Sequence, residues 1–254
     1  MPDLFRELVY IPIYNLLVFL IDVIPGADLG VAVIAVTLLI KFILMPLSLV
    51  AVRTQKAMRV LEPHLKEVRE KHKDDKETQA RELFALYKKH NVKPFASMLL
   101  LFIQIPIVLG LYLVCREVAT NPLYTDLLYS FIHAPAHVTT LFLGFFGVAH
   151  SSFALALLAG LTQFAYARYA IPVPPKSDST TPSMQEEFGR MMAVQARYMF
   201  PLLIALFSYT SGALALYFAA SNIFMILQEF VARILHKDQL PVLETTPESN
   251  TKPA

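Results

Sequence analysis

A chain of 254 residues in which 56% are hydrophobic and 17% charged carries more apolar side chain than a soluble core of this size requires, since about 45–50% and about 25% are usual. Its net charge of +2 excludes a polyanion-binding protein on bulk electrostatics. The single cysteine, Cys115, excludes an intrachain disulfide, a four-cysteine zinc site and cluster ligation.

The apolar surplus belongs in lipid wherever it runs for about 20 residues, the length that crosses about 30 Å of hydrocarbon. Residues 1–28 lack the basic start, apolar run and small-residue cleavage site of a signal peptide. Within them, Ile13 to Ile24 is apolar but bounded by Pro12 and Pro25 and interrupted by Asn15 and Asp22. That predicts a twelve-residue interfacial helix on the extracytoplasmic side rather than a span.

Residues 29–52 form the first predicted span, with Lys41 as the only charge. Residues 53–93 are dense in charge yet keep helical periodicity. Met58, Leu61, Leu65 and Val68 recur at three and four residues, and Leu83, Leu86 and Tyr87 repeat the pattern after Lys73-Asp74-Asp75. This spells an antiparallel helical hairpin, either a solvated linker or a docking arm for a ribosome, partner or nascent chain. Residues 94–116 are the second span, uncharged up to Cys115.

Residues 117–150 read as a loop ending in an apolar, interfacial stretch at 139–149, and residues 151–171 as the third span. A polar connection at 172–196 opens with Pro172-Val173-Pro174-Pro175 and is predicted to be flexible. Residues 197–235 hold an uncharged run broken by Ser208-Tyr209-Thr210-Ser211-Gly212, which predicts a hairpin of two short spans. Residues 236–254 read as a disordered tail. The predicted fold is all-α and polytopic: five transmembrane helices, a helical hairpin and an N-terminal interfacial helix.

Orientation follows from Lys and Arg, which favour the cytoplasm. Residues 51–93 hold twelve Lys or Arg against seven Asp or Glu, whereas residues 117–149 hold no Lys or Arg. The hairpin is therefore predicted to be cytoplasmic, with the N-terminus outside and the C-terminus inside a bacterial plasma or inner membrane.

Lys41 lies in the middle of its span, where a charge costs about 2.5–3.5 kcal/mol on insertion scales. Each end is about 16 Å away at 1.5 Å per residue, which weakens snorkelling as the explanation. Thr37 shares its helical face. Gln104, Thr162, Gln163, Ser208, Ser221, Asn222 and Gln228 are the other polar residues at membrane depth. Singly, each is an interhelical hydrogen-bonding residue worth about 0.6 kcal/mol; with Lys41 they can line one hydrophilic face. No acidic residue lies near the middle of a span to neutralise Lys41.

Signatures of zinc hydrolases, serine hydrolases, phosphate-binding loops and intramembrane aspartyl enzymes are missing. His133 and His137 have helical ligand spacing, but Pro135 between them disfavours a helix, so no metal site is expected. No cofactor, no nucleic-acid specificity and no enzyme activity are expected.

Taken together, these segments resemble the YidC/Oxa/Alb family of membrane protein insertases. The matching stretches are Thr37 through Lys41 to Pro46-Leu47, then Met58 to Pro63 with the hairpin ending in Leu86-Tyr87-Lys88-Lys89-His90-Asn91. Next come Gln104-Ile105-Pro106-Ile107 with Gly110-Leu111-Tyr112, then Gly160-Leu161-Thr162-Gln163-Phe164, and finally Pro201 with Leu214 through Tyr217-Phe218 and Ser221-Asn222 to Gln228. The set spans residues 8–235.

The resemblance implies a five-helix core around a hydrophilic groove, in the minimal form without a large periplasmic domain. It implies that Lys41 attracts the polar tail of a nascent membrane protein while its apolar segment slides into lipid. Thr37 and Gln163 would keep the groove hydrated, Gln104, Ser208 and Asn222 would line it, and Tyr217 and Phe218 would form its apolar side. Implied partners are nascent membrane proteins and membrane lipid, with the ribosome and Sec translocon as candidates and a monomer as the working unit. Two departures stand out: Lys41 replaces the family's usual arginine and loses its fork of donors, and Phe218 stands where tryptophan is frequent. A small-molecule transporter using the same groove is the alternative; it predicts solute flux and no insertion.

Overall fold

The computed structural model describes residues 3–90, 92–93, 95–121, 123–170 and 184–235. The expected flexible connection as far as residue 183 and the expected disordered tail at 236–254 lie outside the described residues. The described chain is overwhelmingly helical.

Helix α1 (Asp3–Val23) has 21 residues, not the twelve expected, because Pro12 does not stop it. A proline lacks the N–H that would bond to the carbonyl four residues back. Here a π-helical turn, Arg6–Tyr10, lies immediately before it, with the Ile11 N–H donating to the Arg6 carbonyl; the widened turn absorbs the proline. Tyr10, Ile13, Tyr14, Leu17, Val18 and Ile21 form the buried face. Asn15, which reads as an interruption, is a bracket instead. Its amide donates to the carbonyls of Ile11 and Leu127, each at 2.9 Å, and accepts from the Tyr129 N–H at 2.7 Å.

Helix α2 (Leu29–Lys71) runs 43 residues without a break, about 65 Å at 1.5 Å per residue. The first expected span and the first arm of the hairpin are therefore one rod. Asp28 caps it by accepting from the Gly30 and Val31 N–H groups at 2.8 and 3.1 Å. Helix α3 (Lys76–Lys89) folds back on the rod. Asp75 caps α3, and the Thr78 hydroxyl and N–H hold its carboxyl below the ordinary value. Leu61, Leu65 and Val92 form a small core here with Met58, Leu83, Leu86 and Tyr87 around it, while Val68 stays half-buried. The Gln79 amide closes the end of α2 by donating to the carbonyls of Arg69 and His72.

Helices α4 (Ala96–Thr120) and α5 (Phe153–Ala170) follow. Helix α6 comprises Met184–Val194, a π-helical turn Gln195–Met199, and Phe200–Ser208. The same device recurs in α6, whose π turn precedes Pro201, so much of the expected loop at 172–196 is helix. Helix α7 is Gly212–Leu235.

Five helical stretches are long and apolar enough to cross a membrane: Asp3–Val23, Leu29–Met58, Met98–Thr120, Glu187–Ser208 and Gly212–Ile234. Helix α5, an expected span, has 18 residues and is made less apolar by Thr162, Gln163 and Arg168.

Helix α7 packs against α2, α4, α5 and α6; α2 also pairs with α4, and α5 with α6. Small residues permit this closeness. Ala213, Ala215, Ala219 and Ala220 are buried on α7. A Cβ on Gly160 of α5 would come within 2.8 Å of the Ala205 Cβ on α6. Outward-facing side chains are largely apolar, including Phe42, Ile43, Leu101, Phe102, Leu202 and Leu206.

The stretch expected to lie at the interface forms a tight hairpin, β1 (Leu141–Phe142) against β2 (Phe146–Gly147). Leu143 and Gly144 both have positive φ, +52° and +79°, which suits the mirror-image turns of short hairpins but costs leucine about 1–2 kcal/mol. Asp28 supports it: its second carboxylate oxygen accepts from the Leu143 N–H at 2.8 Å. The hairpin also meets α7, with Gly212 N–H donating to His150 O at 3.0 Å and Ala213 N–H to Val148 O at 2.9 Å.

A Cβ on Gly212 would strike the Gly147 carbonyl oxygen and lie 3.0 Å from the Val148 Cα. Both obstacles are backbone. Gly212→Val is therefore expected to cost roughly 3 kcal/mol, the upper end for overpacking, read as a lower melting temperature in detergent. Gly189→Ala, whose Cβ meets nothing within 4 Å, is the control. Equal melting of the two variants would refute the close approach.

Candidate functional site

Lys41 emerges from α2 at membrane depth, half-buried. Its ammonium donates to Gln104 Oε1 of α4 at 3.4 Å. Among the described residues the buried Gln104 amide nitrogen has no protein partner, which leaves a donor at the same spot. Thr37, one turn earlier, is fully buried, and its hydroxyl donates to the Val33 carbonyl at 2.7 Å. It is satisfied within its own helix.

A second polar contact lies between α5 and α7, where the Asn222 amide donates to the Thr162 hydroxyl at 3.3 Å. Gln163, the next residue, is half-buried. A third joins α2 to α7: the Gln228 amide donates to the Ser48 hydroxyl. Among the described residues, Ser208 and the Gln228 carbonyl oxygen add buried polar atoms without protein partners. Buried polar groups need partners, and such orphans mark places suited to water or to polar groups of a bound chain.

Tyr217 is buried and meets Phe218 edge to face at 5.2 Å, and Phe218 in turn meets Phe207 of α6 at 6.3 Å. Phe42, next to Lys41, packs edge to face on Phe224 at 5.1 Å. The ammonium thus has an amide partner on α4. Among the described residues no three His, Cys, Asp or Glu side chains gather as a metal-binding set.

Sequence reasoning passed over a charged cluster at the far end of α7. Glu229 is only 6% exposed, and its carboxylate lies 2.9 Å from Lys56 Nζ of α2 and 3.1 Å from Arg233 Nε. Arg233 also donates to the Tyr169 carbonyl at 2.8 Å, and its guanidinium sits 4.1 Å from the centre of the Tyr169 ring. The signal available was the four-residue spacing of Glu229 and Arg233 at the edge of an uncharged run; the partners on α2 and α5 are distant in sequence.

The family described as 60Kd inner membrane protein matches residues 20–239. The chain belongs to this family. Curated relatives carry the same stretch. A membrane protein insertase YidC of Clostridium tetani is 29% identical over 84% of this chain and 85% of its own length. The membrane protein insertase MisCA of Bacillus subtilis is 27% identical over 91% and 80%. A YidC of Saccharophagus degradans is 30% identical over 85% of this chain but only 34% of its own length. The chain's relatives thus include both proteins of about its size and much longer ones. The matched region takes in Lys41, Gln104, the helical hairpin and the whole of α7.

Proposed function

We propose that the chain is a membrane protein insertase, working without catalysis or cofactor as a multi-pass protein of a bacterial membrane. The observation that carries the site is the Lys41 ammonium held against Gln104 within an apolar span, beside the buried Gln104 amide nitrogen. Such a hydrated, positively charged spot lowers the cost of drawing polar and acidic tail residues of a nascent membrane protein across hydrocarbon. Burial of the substrate's own apolar segment, about 20 residues long, supplies the driving force. Gln163, Ser208 and Asn222 contribute polarity to this path, and Tyr217 and Phe218 its apolar wall.

In this reading the α2–α3 hairpin is cytoplasmic, in keeping with its excess of Lys and Arg, and receives the chain directly or from a ribosome or Sec translocon. Phe84, 59% exposed on α3, offers it an apolar contact. Photocrosslinkers at positions 84, 104 and 218, tested against ribosome-stalled nascent membrane proteins of increasing length, provide the test. Crosslinks are expected first at 84 and then at 104 and 218. Solute flux through the purified protein in liposomes, with no crosslinks at 104 or 218, would replace this reading with a transporter.

A further inference from the structure

The hairpin that joins the start of α2 to the start of α7 has two unlike faces. Phe142 lies under it, so near Gly30 that a Cβ there would come within 2.6 Å of the ring, and Val148 is fully buried. Leu141, Leu143 and Phe145 point the other way; Phe145 is 83% exposed and Leu143 61%. Residues 127–167 contain no Asp, Glu, Lys or Arg, so the face carries no charged side chain of its own, and the carboxylate at the turn, that of Asp28, is engaged by the Leu143 N–H.

Its level is set by backbone. Thr139 N–H donates to Ala27 O at 2.9 Å and Leu29 N–H to Thr139 O at 3.0 Å, while Gly212 and Ala213 take the other end. Both attachment points are first turns of helices long enough to span, which sets them near one surface of the bilayer. The left-handed Leu143, held by Asp28, places an apolar side chain where glycine or asparagine fits with less strain. Large apolar side chains at this level belong to the region between headgroups and acyl chains.

We propose that the Leu143–Phe145 tip is a lipid-seated wedge: it dips into the leaflet at the α2 and α7 N-termini, the outer one in the orientation given above, and fixes the depth of both helices in the bilayer. The occupant of the apolar face is lipid, continuous with the belt that surrounds the bundle.

The protein contains no tryptophan, so Phe145→Trp gives the full-length chain one fluorophore. Reconstituted in phosphatidylcholine vesicles, it is expected to emit in the blue, to lose most of its emission to lipids brominated near the top of the acyl chain, and to resist iodide. Phe84→Trp serves as the water-exposed control. Leu143→Trp is a second probe with the same expectation should the first variant fold poorly. Red emission quenched by iodide and untouched by brominated lipid overturns the proposal, and so does shielding from both quenchers, which would mean that protein covers the tip.

Discussion

Lys41→Ala is expected to slow insertion of substrates with acidic or polar tails by about tenfold or more, with the protein still folded and present at normal levels. One charged residue at the bilayer centre costs about 2.5–3.5 kcal/mol on insertion scales. If Lys41 offsets only half of that for a substrate carboxylate, its loss raises the barrier by about 1.4 kcal/mol, a factor of about ten. Lys41→Arg keeps the charge and adds donors, so it is expected to retain activity. The measurement is protease accessibility of a substrate's translocated tail in cells depleted of their own insertase and supplied with each variant. Because Gln104 loses its ammonium partner as well, Gln104→Leu separates the two roles: it should impair insertion less than Lys41→Ala. Equal insertion by Lys41→Ala and the parent chain across several substrates would remove Lys41 from the mechanism.

The second large effect concerns Glu229. Its side chain is 8% exposed and faces Lys56, 34% exposed, and Arg233, 49% exposed. Removing one partner of a fully buried pair costs about 3–5 kcal/mol because a charge is left without compensation. Here both cations reach water, which screens part of that loss. Glu229→Gln is therefore expected to destabilise the protein by about 2 kcal/mol, read as a lower melting temperature in detergent. Loosening should concentrate where α2 leaves the bundle, so amide exchange is expected to rise around Lys56 and Tyr169 before it rises around Leu17. Unchanged melting with unchanged exchange would show that the cluster contributes no net stability.

The all-α polytopic fold was legible because long uncharged runs have few other physical explanations. The seam of Met58, Leu61 and Leu65 was legible from its spacing, since helical periodicity survives even in a charged segment. Lys41 stood out as a lone charge in an apolar run. Its partner did not, because a glutamine at membrane depth fits many interhelical contacts and sequence spacing cannot choose among them.

Three features escaped for identifiable reasons. Pro12 read as a helix boundary, yet a π turn just before it absorbs the missing N–H, as another does before Pro201, and nothing in residue type announces such a turn. Asn15 read as a break because two of its three hydrogen-bonding partners lie more than a hundred residues away. The turn at Leu143-Gly144 was hidden because leucine is an improbable left-handed residue; the carboxylate of Asp28, distant in sequence, supports it there.

The unbroken α2 rod has a mechanical consequence. Pro46 and Pro63 each leave a gap in its hydrogen-bond ladder without ending the helix. From Pro46 an arm of about 38 Å reaches the end of the rod beneath α3, and an arm of about 27 Å reaches Asp28 at the other end. Lys41 rides on the shorter arm, and the Ser48–Gln228 and Lys56–Glu229 contacts tie the longer one to α7. One continuous helix thus joins the hairpin, the polar contact at Gln104 and the turn at Leu143.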